Sequence, residues 1–348
     1  MDTILLKTPL SYGSGYGHDG FALSRSLHQA GVDVRLEPSV VVPPIPMGVA
    51  QLLVKPLQGV DLDYVIHHID PQNAALPPGQ KNMPVRKILW SMWEYTSMGE
   101  KLGPKFTDTL EGYDLILAYD EVSAMAFRPH AEERGIPIKV LQGGYWSDDW
   151  QHDLGQREWG EDAPFRFGMA GVLSARKNPF AAIRAFEEVH EEFPNTELHL
   201  KTNVRTLHPA MEQRYPGLKI HYASWDHEQM KDFYASLHAY VAPSWGEGKN
   251  LPALEAQTMG VPAIYSDFGG HRQWGSSEIG WPVSGTLATH ADGLESFRVD
   301  HGALVAAMKD AVRNWRDTKR KGERASRLIR ETCDWSVVTR RLLQMIKD

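Results

Sequence analysis

The sequence predicts an α/β protein built from two doubly wound domains, and three observations lead to this prediction. The chain has 348 residues, which is too long for one ordinary hydrophobic core and fits two domains of about 150 to 200 residues. Short aliphatic runs alternate with longer amphipathic runs along the whole chain, as in parallel βαβ units. This alternation restarts after a polar, glycine-containing stretch at residues 142–164.

The first half contains six short apolar runs that we predict as strands. They cover residues 4–8, 32–36, 64–67, 87–91, 115–118 and 138–141. The segment after the first strand has helical character, and Gly31 is of the residue type that commonly follows the last turn of a helix. The first half therefore predicts an N-terminal domain over residues 1–150.

The second half repeats the pattern and predicts a C-terminal domain over residues 160–330. Its strands are predicted at residues 165–170, 197–201, 218–222, 239–242 and 263–265. In the helix expected after Lys177, apolar residues recur at every third position, namely Phe180, Ile183, Phe186 and Val189. We predict that these four side chains form the buried face of that helix.

Composition excludes several classes of protein. Hydrophobic residues make up 42% of the chain and charged residues 23%, and no apolar run reaches the ~20 residues that a membrane span requires. The N-terminal residues lack the basic and apolar regions of a secretory signal. Cys333 is the only cysteine, so a reducing cytoplasm is the expected location. The net charge of -7 argues against general nucleic-acid binding.

The segment "VAPSWGEGKNLPALEAQTMGVPAIYSD", residues 241–267, predicts a strand, a glycine-containing loop and a helix start. Backbone N–H groups around Gly248, Lys249 and Asn250 would favour a phosphate there. Glu247 and Glu255 would not bind a phosphate, but carboxylates accept hydrogen bonds from hydroxyl groups. A ligand with both a diphosphate and sugar hydroxyls fits this combination. Alternatively, each glutamate alone is only a favourable charge at a helix start.

This segment resembles the GT-B fold glycosyltransferases, specifically the retaining family 4 type of glycosyl transferases group 1. The residues that carry the resemblance are Pro243, Ser244, Glu247, Gly248, Leu251, Pro252, Glu255, Ala256, Gly260 and Pro262. The resemblance implies a GT-B fold, with two Rossmann-like domains facing a central cleft and a last helix, residues 333–348, that crosses back to the N-terminal domain. It implies that the N-terminal domain binds the acceptor and that the C-terminal domain binds the nucleotide sugar. It also implies that Glu255 holds ribose hydroxyls and Glu247 holds hydroxyls of the transferred sugar. The family often has Phe-Gly where this chain has Lys249 and Asn250.

A second motif, "GMAGVLSARKNPF" at residues 168–180, follows the first strand of the second half. Lys177 matches the family lysine that neutralises the diphosphate. The family usually has an arginine where this chain has Val172, so we expect Arg176 or Lys249 to supply that charge. A solvated basic turn is the alternative for Arg176.

The N-terminal segment "SYGSGYGHDG", residues 11–20, is rich in glycine. By resemblance, Gly15 and Gly17 would let the backbone approach the nucleotide-sugar donor. The same glycines, with Gly20, also spell the G-x-G-x-x-G motif of nicotinamide-binding proteins, and Glu37 ends the second strand as that motif requires. An NAD(P)-dependent oxidoreductase is therefore the alternative function.

Two further strands of the first half are followed by, or end in, candidate site residues. His67 and His68 end the third strand, where related enzymes carry a histidine near the reacting sugar carbon, and a structural role is the alternative. Trp93 and Glu94 follow the fourth strand and would contact the acceptor, although core packing of Trp93 is equally compatible with the sequence.

The sequence predicts no metal site and leaves the acceptor open. The "DLD" at residues 61–63 precedes its strand, whereas a metal-binding Asp-x-Asp would follow one. No cofactor is expected apart from the nucleotide diphosphate sugar as co-substrate. Five arginines near the C-terminus are three or four residues apart and would share one helix face, as a solvated surface or as a contact with an anionic surface. They are Arg313, Arg316, Arg320, Arg324 and Arg327.

We therefore expect a metal-independent glycosyltransferase that moves a sugar from a UDP- or GDP-linked donor. The acceptor could be a saccharide, a lipid, a small metabolite, a protein or a modified nucleobase. A non-catalytic protein that binds nucleotide sugars is the third interpretation.

Overall fold

The chain divides into two compact units. The structure is a computed structural model, and it describes residues 2–12, 14–56, 59–145, 147–150, 157–160, 163–205, 207–208, 210–290 and 293–348. Unit 1 comprises Met1–Trp146, Thr289–Glu295 and Cys333–Asp348, and unit 2 comprises Ser147–Ala288 and Ser296–Thr332. No sequence pattern predicts that Thr289–Glu295 belong to unit 1. Parts of the predicted linker, residues 151–156 and 161–162, lie outside the described residues.

The strands and helices alternate along the chain. The strands are β1 (Thr3–Leu10), β2 (Asp33–Val41), β3 (Tyr64–His68), β4 (Arg86–Ser91), β5 (Leu115–Ala118), β6 (Ile138–Val140), β7 (Phe165–Ala170), β8 (Thr196–Thr202), β9 (Leu218–Tyr222), β10 (Ala239–Ala242), β11 (Ala263–Ser266), β12 (Gly280–Val283), β13 (Gly285–Thr289) and β14 (Glu295–Val299). The helices are α1 (Gly15–Gln29), α2 (Met47–Leu53), α3 (Pro78–Lys81), α4 (Gly99–Thr109), α5 (Glu121–Glu133), α6 (Pro179–Glu192), α7 (Met211–Arg214), α8 (His227–Ser236), α9 (Leu251–Thr258), α10 (His301–Arg313), α11 (Trp315–Cys333) and α12 (Trp335–Met345).

Each unit contains one parallel six-stranded sheet. The order in unit 1 is β2-β1-β3-β4-β5-β6, and the order in unit 2 is β12-β11-β10-β7-β8-β9. Every neighbouring pair in both sheets is parallel. The α/β prediction and all eleven predicted strands are confirmed, and all strand ends but one differ from the prediction by at most two residues. The exception is β2, which continues to Val41, so Glu37 lies inside this strand and not at its end as expected. β12, β13 and β14 were not predicted, and β13 and β14 form a separate two-stranded sheet.

Side chains alternate between two apolar layers on the sheet of unit 1. In β4, Ile88 and Trp90 pack in the cluster that includes α1 and α12. Leu89, which lies between them, packs in the cluster that includes α4 and α5. This is the two-residue period of a strand that is covered on both faces. His67 and His68, at the end of β3, therefore point to opposite faces of the sheet.

The buried face predicted for α6 is partly wrong. Ile183, Phe186 and Val189 are buried as predicted, but Phe180 is 53% exposed. An α-helix advances about 100° per residue. The nine residues from Phe180 to Val189 therefore turn the side-chain direction by about two and a half turns, so these two side chains lie on opposite sides of the helix. The buried alanines of α6, including Ala182 and Ala185, complete the face instead.

The C-terminal arginines do not lie on one continuous helix. Arg313 ends α10, and Arg316, Arg320, Arg324 and Arg327 lie on α11. Gly322 does not interrupt α11, although glycine is unfavourable inside a helix. A Cβ at Gly322 would stand 2.1 Å from the backbone oxygen of Gly260, so this glycine allows α11 to approach the turn after α9.

Candidate functional site

The segment around the two glutamates forms the predicted strand-loop-helix junction in unit 2. β10 is buried along its length, and α9 begins at Leu251. Asn250 precedes α9 with φ 64°, and its side chain makes no capping hydrogen bond to the helix. Asparagine is one of the few residues other than glycine that adopt this left-handed conformation readily. The helix start therefore tolerates asparagine at a position where the family often has glycine.

Three charged side chains meet in front of α9. Lys177 Nζ lies 2.8 Å from Glu247 Oε1, and Arg176 Nη1 lies 3.1 Å from Glu247 Oε2. Glu247 is 5% exposed. Burial alone would raise the pKa of this carboxyl, but the charges of Lys177 and Arg176 outweigh burial and hold the pKa well below its usual range. Glu247 is therefore ionised at neutral pH, and the three charges sum to a net positive group.

The backbone around this group is held in place by the same residues. Arg176 Nη1 donates to the Gly246 oxygen at 2.5 Å, and the Trp245 N–H donates to the Arg176 oxygen at 2.8 Å. Asn178, which has φ 57°, donates to the Pro243 oxygen at 3.1 Å. The loop after β7 and the loop after β10 are therefore tied together beside the start of α9.

Asn250 connects the charged group to a buried histidine. Lys177 Nζ donates to Asn250 Oδ1 at 3.3 Å, and Asn250 Nδ2 donates to His271 Nε2 at 2.9 Å. His271 Nδ1 lies 2.9 Å from the Ser266 oxygen, to which it donates. Burial lowers the pKa of His271 to about 4, so the ring is neutral. The neutral ring fixes the Asn250 amide with its oxygen toward Lys177.

A second loop packs directly behind Glu247 and was missed by the sequence analysis. The Gly270 N–H donates to the Glu247 oxygen at 2.7 Å, and Trp274 Nε1 donates to the Lys249 oxygen at 2.8 Å. A Cβ at Gly270 would stand 2.1 Å from the Gly248 oxygen. The available signal was the Gly-Gly-His sequence directly after β11, because loops at the carboxyl ends of neighbouring strands meet at one edge of the sheet.

Glu255 lies in the second turn of α9 and has a different environment from Glu247. The Tyr234 hydroxyl donates to its Oε2 at 2.7 Å. Burial raises the pKa of Glu255 to about 7, although this hydrogen bond and the charge of Lys201 act in the opposite direction. The two glutamates are therefore distinguished by their surroundings, since one is held ionised and the other titrates near neutrality.

The remaining predicted donor-site residues of unit 2 lie in the same loop. Gly248 and Lys249 lie between Glu247 and Asn250, and the side chain of Lys249 is only 5% exposed. Arg176 keeps 29% of its side chain exposed, compared with 13% for Lys177. Of the two residues expected to supply an additional charge, Arg176 is the one that meets Glu247.

His67 and His68 are both fully buried. The two nitrogens of His67 lie 2.7 Å from Gln80 Oε1 and 2.7 Å from the Tyr113 hydroxyl. The nitrogens of His68 lie 2.9 Å from Thr8 Oγ1 and 2.6 Å from the Tyr119 hydroxyl. Both rings thus have the satisfied hydrogen bonds of structural histidines, and a catalytic role for either stays a prediction.

The glycines of the N-terminal motif have packing roles. A Cβ at Gly17 would stand 2.2 Å from the Ser11 oxygen, and one at Gly20 would stand 2.0 Å from the Pro9 oxygen. They let α1 lie close to the end of β1, while Gly15 is exposed at the start of α1. This spacing therefore has a structural reason that needs no nicotinamide cofactor.

The two predicted acceptor-site residues differ in their surroundings. Trp93 is 8% exposed, packs in the α4 and α5 layer and donates through Nε1 to the Ser97 oxygen at 2.7 Å. The structure thus favours core packing for Trp93. Glu94 is half-buried, and its role stays a prediction.

The described residues contain neither a candidate metal site nor a membrane-spanning helix. Within the described ranges, no group of three or more His, Cys, Asp or Glu side chains could hold a metal ion. No helix in the part of the chain that the structure describes is long and apolar enough to cross a membrane.

The arginines of α11 are exposed and partly paired. Arg320 lies 3.3 Å from Asp317, and Arg316 lies over the ring of Trp315 at 4.4 Å from its centroid. Arg313, on α10, pairs with Glu192. This arrangement is typical of a solvated face, and contact with an anionic surface stays a prediction.

The second half of the chain matches a known family of sequences. Residues 164–309 match the family described as "Glycosyl transferases group 1". The chain is 26% identical over 104 residues to an uncharacterised glycosyltransferase of Sulfolobus islandicus rod-shaped virus 1, a match that covers 29% of this chain and 31% of the viral protein. It is 34% identical over 91 residues to the lipopolysaccharide core biosynthesis mannosyltransferase LpsB of Rhizobium meliloti, covering 25% and 26% of the two chains. The match thus spans less than a third of either relative.

Solved structures match most or all of the chain and show the fold. Sucrose-phosphate synthase from Thermosynechococcus elongatus has a TM-score of 0.68 at 14% identity, covering 100% of this chain and 98% of that chain. A glycosyltransferase from Rickettsia africae has a TM-score of 0.65 at 13% identity, covering 99% and 98%. The pneumococcal O-GlcNAc transferase GtfA, solved with UDP and GlcNAc, has a TM-score of 0.58 at 15% identity, covering 82% and 56%.

Proposed function

We propose that the chain is a glycosyltransferase, which is supported by its GT-B fold and by the match of residues 164–309 to glycosyl transferases group 1. We propose that it transfers a sugar from a UDP- or GDP-linked donor to an acceptor hydroxyl, with retention of anomeric configuration and without a metal ion. The observation that carries this proposal is the Arg176, Glu247 and Lys177 group at the start of α9. Retention is taken from the resemblance to family 4. A cytoplasmic location stays a prediction from the single cysteine.

The diphosphate of the donor binds between Lys177 and the first turn of α9. A lysine ammonium has three N–H groups, and those of Lys177 reach Glu247 and Asn250 in the structure, which leaves one for a phosphate oxygen. No side chain caps α9, so the positive end of the helix dipole faces the same place. Lys177, Arg176 and the helix start then stabilise the negative charge that develops on the leaving nucleotide.

The two glutamates hold the hydroxyl groups of the donor. Glu247 is ionised and buried, so it accepts hydrogen bonds from the transferred sugar while it keeps Lys177 in position. Glu255 accepts hydrogen bonds from the ribose, and the Tyr234 hydroxyl orients its carboxyl group for this role. The structure of GtfA solved with UDP and GlcNAc supports a nucleotide-sugar donor for this fold.

The test is donor binding and turnover by the purified full-length chain. UDP-sugars and GDP-sugars are titrated by calorimetry, and release of UDP or GDP is measured with and without a library of acceptors. Glu255→Ala should weaken donor binding at least tenfold without lowering the melting temperature. The matched control is Glu323→Ala, which removes an exposed glutamate of α11 in the same unit.

Three results would count against the proposal. Wild-type affinity in Glu255→Ala would refute the donor site. Stabilisation by NAD and not by UDP or GDP would favour the oxidoreductase. Tight donor binding with no sugar transfer to any acceptor and no donor hydrolysis would indicate a non-catalytic nucleotide-sugar-binding protein.

A further inference from the structure

Unit 1 contains a cavity that none of the predicted donor or acceptor side chains lines. Its volume is about 600 Å³, within the range of small-molecule sites. It lies at the carboxyl ends of β1, β2 and β3, beside Ser14 and Tyr16 at the start of α1. β1 lies between β2 and β3 in the sheet, so the chain winds in opposite directions from this point. Such switch points are where open α/β sheets bind ligands.

The charged groups of this cavity favour a neutral ligand with many hydroxyls. The acidic and basic side chains in the lining are Lys7, Glu37 and Asp70. With one positive and two negative charges, the cavity has a net negative charge. An ammonium donates hydrogen bonds and a carboxylate accepts them, whereas a sugar hydroxyl does both. A phosphate or carboxylate ligand would be repelled by the two acids.

The two oxygens of the Glu37 carboxylate differ, because one accepts a hydrogen bond and the other has only a longer contact with Lys7. Gln80 Nε2 donates to Glu37 Oε2 at 2.9 Å. Glu37 Oε1 lies 3.6 Å from Lys7 Nζ, which is longer than a direct hydrogen bond. A ligand hydroxyl that donates to Oε1 and accepts from Nζ would therefore complete the polar contacts of both side chains.

His67 orients the Glu37 carboxylate indirectly, through a hydrogen bond to Gln80. The ring Nε2 lies 2.7 Å from Gln80 Oε1, and burial lowers the pKa of His67 to about 4, so a neutral ring with a proton on Nε2 fits the contact. Gln80 is only 6% exposed, and this hydrogen bond turns its Nε2 toward Glu37. His67 is therefore a positioning residue in this arrangement.

The remainder of the lining fits the carbon skeleton of a sugar. Pro9, Pro38 and Ile69 provide apolar surface in the cavity, and Ser39 adds a hydroxyl group. Sugar rings combine C–H faces with hydroxyl edges, so they match a lining that alternates apolar and polar groups.

We propose that unit 1 binds a neutral polyhydroxylated ligand, a sugar or a closely related polyol, in the cavity formed by Lys7, Glu37 and Asp70. Under the proposed function this ligand is the acceptor. Only the identification of the ligand as the acceptor rests on the proposed function. Glu37 and Lys7 contact the ligand directly, and Gln80 and His67 orient Glu37.

The test uses the full-length protein and defined probes. Methyl glycosides of glucose, galactose and mannose are titrated by saturation-transfer NMR and calorimetry, and glucose 6-phosphate and methyl glucuronide serve as anionic counterparts. At least one neutral glycoside should bind at least tenfold more tightly than its anionic counterpart. Glu37→Gln and Lys7→Met should each weaken this binding at least tenfold. Glu111→Gln is the matched control, because Glu111 is also paired with a lysine of unit 1, Lys81, but at an exposed position.

Gln80→Met tests the positioning role. It removes the N–H that reaches Glu37 and keeps the length of the side chain, so glycoside affinity should fall while the melting temperature stays within a few degrees of wild type. If Glu37→Gln fails to fold, Lys7→Met and Asp70→Asn provide the same test of the cavity. The inference is overturned if no neutral glycoside binds wild type, or if binding is unchanged in the cavity variants.

The same titrations separate this inference from the proposed function. Glycoside binding that depends on Glu37, without turnover of any nucleotide sugar, would support the cavity and refute the transferase. Donor binding that depends on Glu255 and sugar transfer that is unaffected by Glu37→Gln would support the transferase and refute the identification of the cavity ligand as the acceptor. Glu255→Ala should leave glycoside binding unchanged, since Glu255 belongs to unit 2.

Discussion

At the scale of single residues, the environment separates side chains that the sequence presents as equivalent. Glu247 and Glu255 are both glutamates of one motif, but only Glu247 contacts two cations. Charge therefore lowers the pKa of Glu247, whereas burial raises that of Glu255 to about 7. Their distinct roles were expected from the resemblance, but their opposite pKa shifts depend on the contacts of Glu247 with Lys177 and Arg176 and on the burial of Glu255.

The pKa of Glu255 predicts a pH dependence of donor binding. Ribose hydroxyls bind the ionised carboxylate better, so affinity should increase as the pH rises through 7. With a pKa of about 7, about one tenth of the carboxyl is ionised at pH 6 and about nine tenths at pH 8, which predicts roughly tenfold weaker binding at pH 6. A nucleotide sugar is the probe, because its diphosphate diester does not titrate in this range.

Calorimetry at pH 6, 7 and 8 measures the effect. Glu255→Gln should bind weakly and almost equally at all three pH values, because it has no titrating group. A wild-type affinity that is flat over this range, or an equal pH dependence in Glu255→Gln, would contradict the assignment.

At the scale of elements, close contacts between helices and loops depend on particular glycines. Glycine has a low helix propensity, but Gly322 lies inside α11 against the Gly260 turn. Helix propensity concerns only the local backbone. The benefit of this glycine comes from a residue 62 positions earlier in the chain, so no local pattern reveals it.

Substitution of Gly322 tests this contact. Gly322→Ala would place a Cβ 2.1 Å from the Gly260 oxygen, so α11 must shift, and we expect a loss of roughly 1 to 3 kcal/mol in the free energy of unfolding. The matched control is Gly302→Ala in α10, where the nearest atom is the Asp300 Oδ1 at 3.4 Å. The control should be neutral or slightly stabilising. Urea unfolding of both variants measures the difference, and equal stabilities would refute the packing role.

At the scale of the whole molecule, the chain is assembled into units that are not continuous in sequence. Cys333–Asp348 belong to unit 1 although residues 147–288 and 296–332 form unit 2. Within unit 1, Trp335 and Leu342 of α12 pack in the same layer as α1. The Trp335 oxygen accepts a hydrogen bond from Ser26 Oγ at 3.1 Å. The last helix is therefore part of the core of unit 1.

A substitution in α12 should reduce stability without affecting the donor site. Leu342 is fully buried, so Leu342→Ala should cost about 2 to 5 kcal/mol of stability through loss of packing. Donor affinity measured well below the melting temperature should stay at the wild-type value, because the proposed donor contacts lie in unit 2. Calorimetric unfolding and donor titration of the same sample provide both readouts. An unchanged melting temperature would contradict the packing of α12.

The α/β class, the eleven predicted strands and the spacing of the motif at residues 243–262 follow from the amino-acid sequence alone. Alternation of short apolar and amphipathic runs is a local property, and the motif depends on fixed spacing within one segment. Packing determines that Phe180 is exposed, that Arg313 lies on a different helix from the other four arginines, and that Gly270 and His271 lie beside Glu247 and Asn250. It also determines that His67, Gln80 and Glu37 form one chain of contacts. These features depend on residues that are distant in sequence and meet only when the strands pair, so they follow from packing rather than from local pattern.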